Sequence, residues 1–136
     1  MKRITYLLFL LIIVNTAAAQ IETADRPDAR IIGSVKPAGK FLAELVYYVD
    51  GSDTTHLLNF RNAEYQYSLD LVQIAFKNEP GTLDALFAYL TGDKPRRVKL
   101  GTTDLDIEPK RGGVILSTST GYIYLTRKQV DKLFGR

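Results

Sequence analysis

Apolar side chains recur at every second residue along most of this chain and switch to a helical period in only two short stretches. That pattern constrains the fold more than any other feature of the sequence. In "FLAELVYYVD" (41–50), Phe41, Ala43, Leu45, Tyr47 and Val49 fall on one face of an extended chain, and Leu42, Val46 and Tyr48 share the other. Both faces are rich in apolar groups, so this strand is expected at the centre of a sheet with cover on both sides. "RIIGSV" (30–35) precedes it as a shorter strand. Asp50-Gly51-Ser52-Asp53 supplies a hairpin turn, because Asp-Gly tolerates positive φ, and "TTHLLNFR" (54–61) returns. "SLDLVQIAFK" (68–77) is a fourth strand, with Val72, Ile74 and Phe76 on one face.

The period then changes. Leu83, Leu86, Phe87 and Leu90 stand at i, i+3, i+4 and i+7, the apolar stripe of an amphipathic helix. Thr82 is placed to cap it, Asp84 suits the positive end of its dipole, and Gly92 stops it. Strand character resumes with "RVKLGTTDLDIEP" (97–109), which reads as one strand bent or bulged at Gly101, followed by "VILSTST" and "YIYL". A second helix closes the chain. Thr126 and Gln129 have capping-box spacing, Leu125 and Val130 occupy the staple positions, and Val130, Leu133 and Phe134 form the apolar face.

These elements predict an α+β fold: a mostly antiparallel sheet of about seven strands, with short helices after strand four and at the C-terminus. The alternative architecture is a 4+3 strand barrel capped by the C-terminal helix, similar in element order to a pleckstrin-homology fold. The two halves share a grammar of strands, hairpin and short capped helix, as "IAFKNEPGTLDALFAYL" and "IYLTRKQVDKLFG" show, which suggests two ββα-like units whose helices cover one sheet.

The N-terminus carries an address. Lys2 and Arg3 are followed by nine unbroken apolar residues, Tyr6 to Val14, then Asn15, Thr16 and Ala17-Ala18-Ala19. Nine residues fall well short of the roughly 20 that a membrane-spanning helix needs. A basic start, a short apolar core and an A-x-A site make a signal peptide over residues 1–19, cleaved before Gln20. Residues 20–29 read as a flexible lead and 30–136 as a single α+β domain. The mature chain is expected to be exported and soluble, periplasmic or extracellular, with no transmembrane anchor after cleavage.

Composition narrows the chemistry. Cleavage leaves 117 residues, enough for one packed core. The full chain carries 18 basic and 15 acidic residues, and removal of Lys2 and Arg3 leaves 16 against 15, a net charge of +1. Non-specific attraction to nucleic acid loses its electrostatic basis at that charge. There is no cysteine, so disulfides, a thiol nucleophile, cysteine-based zinc and iron–sulfur sites are excluded, and stability must come from packing.

His56 is the only histidine and reads as a hydrogen-bonded strand residue sharing a face with Leu58 and Phe60. No Gly-x-Ser-x-Gly is present, and Ser34, Ser52, Ser68, Ser117 and Ser119 lie in strand or turn contexts, so a serine triad is not supported. No motif for a metal or cofactor appears, and none is expected. Asp104, Asp106 and Glu108 share one face of "TDLDIEP", the single set that could serve as an acid/base pair, although alternating acids and aliphatics also describe a solvated strand face. "DKPRRVK" (93–99) places Lys94, Arg96, Arg97 and Lys99 after the first helix as a basic loop. Two Tyr-x-Tyr pairs, Tyr65/Tyr67 and Tyr122/Tyr124, each put two amphipathic rings on one strand face.

The functional expectation is an exported binding module, with a protein or glycan as partner, rather than an enzyme. Tyr122, Tyr124, Arg96 and Arg97 are the expected ligand contacts, with the tyrosines pointing outward because Ile123 and Leu125 are the more apolar alternate set. The alternatives are a small carboxylate-dependent hydrolase using Asp104, Asp106 and Glu108, or an inhibitor or accessory protein of a secreted enzyme.

Overall fold

The structure, a computed structural model, describes residues 28–65 and 69–136. The expected signal peptide, most of the expected 20–29 lead, Tyr67 and Ser68 lie outside the described residues. The chain runs β1 (Arg30–Val35), β2 (Ala43–Asp50), β3 (Asp53–Arg61), β4 (Leu71–Lys77) and α1 (Thr82–Thr91). It then continues through β5 (Arg96–Leu100), β6 (Thr103–Lys110), β7 (Gly113–Ser117) and β8 (Tyr122–Thr126) to α2 (Arg127–Leu133). The strands form two four-stranded antiparallel meanders, β1-β2-β3-β4 and β5-β6-β7-β8. The α+β class, the antiparallel pairing and both helix positions agree with the sequence. The single seven-stranded sheet does not, and neither does the 4+3 count of the barrel alternative. The extra strand comes from 97–109, which is a hairpin rather than one bent strand: Leu100 pairs with Thr103, and Gly101 between them turns the chain at φ +63°.

Both sheets bury their inner faces in one core. Leu45, Leu58, Phe60 and Ile74 come from the first sheet, and Leu105, Ile107, Leu116, Ile123 and Leu125 from the second, all 0–1% exposed. Burial of each such side chain is worth about 1.5–3 kcal/mol. β2 is central, as its sequence suggests, but only its inner face meets the core. Val46 on the outer face is shielded outside the core cluster, in register with Ile31 and Leu57 on the neighbouring strands.

The helices cross over. α1, which follows the first sheet, packs on β6 and β7, whereas α2, which follows the second, packs on β1, β2 and β8. Each helix therefore covers the other half's sheet, a correction to the idea that both cover one sheet. Leu86 and Leu90 bury the stripe of α1, and Gly81 rather than Thr82 occupies its N-cap. α2 has the complete capping box: the Thr126 hydroxyl accepts from Gln129 N–H, and the Gln129 side chain accepts from Thr126 N–H.

Three of the four sheet edges, β1, β4 and β8, carry some cover, which limits how this protein can meet others. α2 lies so close to β1 that a Cβ on Gly33 would fall 2.2 Å from the carbonyl oxygens of Lys132 and Leu133. The β5–β6 turn presses on β4, with the Gly101 Cβ position 2.1 Å from Ala75 O. On β8, alternation leaves the backbone groups of Tyr122, Tyr124 and Thr126 directed away from β7. Tyr122 O accepts from Ala63 N–H, Tyr122 N–H donates to Asn62 Oδ1, and Thr126 N–H donates to Gln129. Little free ladder remains on this edge for another strand to extend.

Candidate functional site

Asp104, Asp106 and Glu108 project from β6 on the outward face of the second sheet, while Leu105 and Ile107 are buried beneath. Register places Lys99 opposite Asp104 and Arg97 opposite Asp106 on β5. The Arg97–Asp106 pair is bidentate, with Nε–Oδ1 2.6 Å and Nη2–Oδ2 3.0 Å, and Lys110 bonds Glu108. The guanidinium hydrogen bond holds Asp106 below the usual carboxylate range and pushes Arg97 up. A general acid needs the opposite shift. Among the described residues no three His, Asp or Glu side chains gather as a metal site. The acidic strand face is ion-paired and solvated, so the geometry gives the hydrolase reading no support.

Arg96 and Arg97 are not on a loop. Both belong to β5 and therefore point to opposite sides. The Arg96 guanidinium sits 4.6 Å from the centroid of the Tyr89 ring on α1, while Arg97 joins the outward face. Only Arg97 shares a surface with the tyrosines. His56 is 4% exposed, stacked on Phe76 at 5.2 Å, and its Nδ1 has no hydrogen-bond partner, contrary to the expected hydrogen-bonded histidine. Burial lowers its pKa. The ring is a core group.

Tyr122 and Tyr124 face outward at 43% and 42% exposure, above buried Ile123 and Leu125. Cross-strand register lines up Tyr122, Ser117, Asp106 and Arg97 in one row over all four strands, and Tyr124, Ile115 and Glu108 in the next. The tip of the Tyr124 ring rests where Gly113 has no side chain: a Cβ there would lie 2.7 Å from Cζ and Oη. Tyr124 Oη also donates to Arg111 O at 3.4 Å. Tyr65 is not on a strand but in the β3–β4 connection, half exposed.

That connection is held against β8 by a residue the sequence reading passed over. Asn62 is fully buried and uses its whole amide: Nδ2 donates to Asp70 Oδ2 and Thr120 O, and Oδ1 accepts from Glu64 N–H and Tyr122 N–H. Its backbone N–H donates to Asp70 O, and its carbonyl accepts from Tyr65 N–H. The junction draws Tyr65, Leu69 and Leu71 to the start of β8. In the sequence its only trace is a polar residue ending an apolar strand, which is too common a feature to signal a site.

Compared with protein-family models, with curated proteins and with solved structures, the chain has no significant match among any of the three.

Proposed function

We propose that this protein is a non-enzymatic binding module, exported to the periplasm or the extracellular space, that holds a macromolecular ligand on the surface around β8. The observation that carries this reading is where apolar surface is left exposed. Among the described residues seven large apolar side chains are exposed, and five of them, Tyr65, Leu69, Leu71, Tyr122 and Tyr124, lie on the segments that Asn62 ties together, at or within two residues of its partners. Scattered single exposures need no explanation, but a concentration at one place favours a binding surface. The cover on β1, β4 and β8 argues for recognition by side chains rather than by strand addition along those edges. Where the ligand is a secreted enzyme, the module would act as its inhibitor or accessory chain.

The test is affinity capture. Immobilised mature protein is exposed to solubilised envelope and extracellular material, beside a variant carrying Tyr122→Ser and Tyr124→Ser. The ligand should be retained by the parent and lost from the variant at an unchanged melting temperature. A variant that unfolds, or that retains the ligand equally well, contradicts the reading.

A further inference from the structure

We propose that the outward face of the second sheet is a platform for a neutral glycan, with Tyr124 as its principal stacking surface; this rests on the binding-module reading and names the class of ligand. A ring standing upright on a sheet carries its hydroxyl away from the backbone. Tyr124 does not, because its Cζ and Oη sit over Gly113 and its hydroxyl reaches Arg111 O. The ring lies along the sheet with one side against backbone, yet the residue remains 42% exposed, so the other side is open to water. Such a ring is already ordered, and a ligand that stacks on it costs little further conformational entropy.

A lying ring cannot enter a partner's pocket as the protruding anchors of protein interfaces do. It offers a plane, suited to another ring, a cation or the C–H face of a sugar. Charge decides against the cation, and the polar groups beside the ring favour a hydroxylated sugar over a bare aromatic ring. The outward positions of the sheet hold Arg97, Lys99 and Lys110 against Asp104, Asp106 and Glu108, three of each sign, with Arg97–Asp106 and Lys110–Glu108 in direct contact. No basic excess is left for phosphates, and no unmatched carboxylate for a cation. A pyranose has one apolar face and a hydroxylated rim. The ion pairs and the Ser117 hydroxyl provide donors and acceptors for that rim, side by side with the rings. Tyr122 stands two residues along the same face, about 7 Å from Tyr124. Two stacking positions fit a chain of sugars rather than a single one.

Amide NMR spectra of the mature protein titrated with cello-, laminari- and xylo-oligosaccharides, and with oligogalacturonate as the acidic control, test this directly. At least one neutral series should shift the amides of Gly113, Ser117, Tyr122 and Tyr124, and the acidic control should not. Tyr124→Ala should weaken that binding by at least about tenfold, as loss of a central aromatic contact does, while Val49→Ala, at an exposed position on β2 of the first sheet, leaves it unchanged. Tyr124→Phe keeps the ring and loses only the Arg111 bond, so it should bind like the parent even where the alanine variant is destabilised. Absence of shifts with every neutral series, equal binding by Tyr124→Ala in folded form, loss of binding in Tyr124→Phe, or preference for the acidic control would overturn the proposal. If no sugar shifts these amides while the double serine variant still loses a captured ligand, the module reading stands and the glycan inference falls. If neither effect is seen, both fall.

Discussion

The carboxamide of Asn62 fills the space beside Gly121 so closely that a Cβ at that glycine would lie 2.3 Å from Asn62 Cγ. Gly121 is itself buried, and its carbonyl accepts from Thr118 N–H in the turn that leads into β8. The contact joins the β3–β4 connection of the first meander to the start of the last strand of the second, so one side-chain amide couples the two sheets. Removal of Asn62 would leave Glu64 N–H, Tyr122 N–H and Thr120 O without partners.

Asn62→Ala should therefore destabilise the protein by about 3 kcal/mol, the scale of several part-buried hydrogen bonds lost together. Gly121→Ala should destabilise it by a similar route, through displacement of the amide. Urea denaturation of each variant provides the measurement, and a midpoint equal to the parent's would show that the junction is not the coupling between sheets.

Phe134 ends α2, is 8% exposed, and meets Phe87 of α1 edge-on with ring centroids 5.3 Å apart. Because each helix covers the opposite sheet, this contact lies where the halves interlock. Phe134→Ala should cost about 3 kcal/mol or more, as core aromatic truncations do. Unfolding should remain a single transition by near- and far-ultraviolet circular dichroism. Two separated transitions would mean that the halves are independent units.

His56 lies between Phe76 and Tyr47, with ring distances of 5.2 and 6.1 Å. Burial holds its pKa below the ordinary value of 6.5. Between the folded and unfolded values the unfolded chain binds more protons, so stability rises with pH through that window. Stability should be level above about pH 6.5 and decline as the pH falls below it. His56→Phe should remove that slope, and the comparison is of urea midpoints at about pH 7.5 and about pH 5.5. The same slope in the variant would assign the effect to other groups. The exposed Asp106 pair behaves separately, since a depressed carboxylate loses its stabilisation only as the pH falls through the acidic range.

Intact-mass measurement on protein recovered from the exported fraction should give a chain beginning at Gln20. Recovery of the full 136 residues in the membrane pellet would contradict cleavage of the leader. Among the described residues no helix is long and apolar enough to cross a membrane.

Local periodicity and capping chemistry determined which segments of this chain become strands and helices. Leu83, Leu86, Phe87 and Leu90 mark α1 because helix geometry brings those positions to one face, and Thr126 with Gln129 marks the start of α2 because both partners are within reach along the chain. Outward placement of Tyr122 and Tyr124 was legible for the same reason: alternation with Ile123 and Leu125 is a local property. What sequence spacing could not decide were relations between residues far apart in the chain. Whether 97–109 bends or folds back depends on Gly101 turning against Ala75, and the second sheet has its fourth strand because it folds back. Arg96 and Arg97 look alike as neighbours, but Tyr89 takes one and Asp106 the other. Asn62 became a junction only through Thr120 and Tyr122, some 60 residues later. Tyr124 became a recumbent ring only because Gly113, on the adjacent strand, left room for it. Side-chain period is set by the backbone of one segment, whereas contact is set by which segments the core brings together, and that is decided only when the two sheets close on their shared interior.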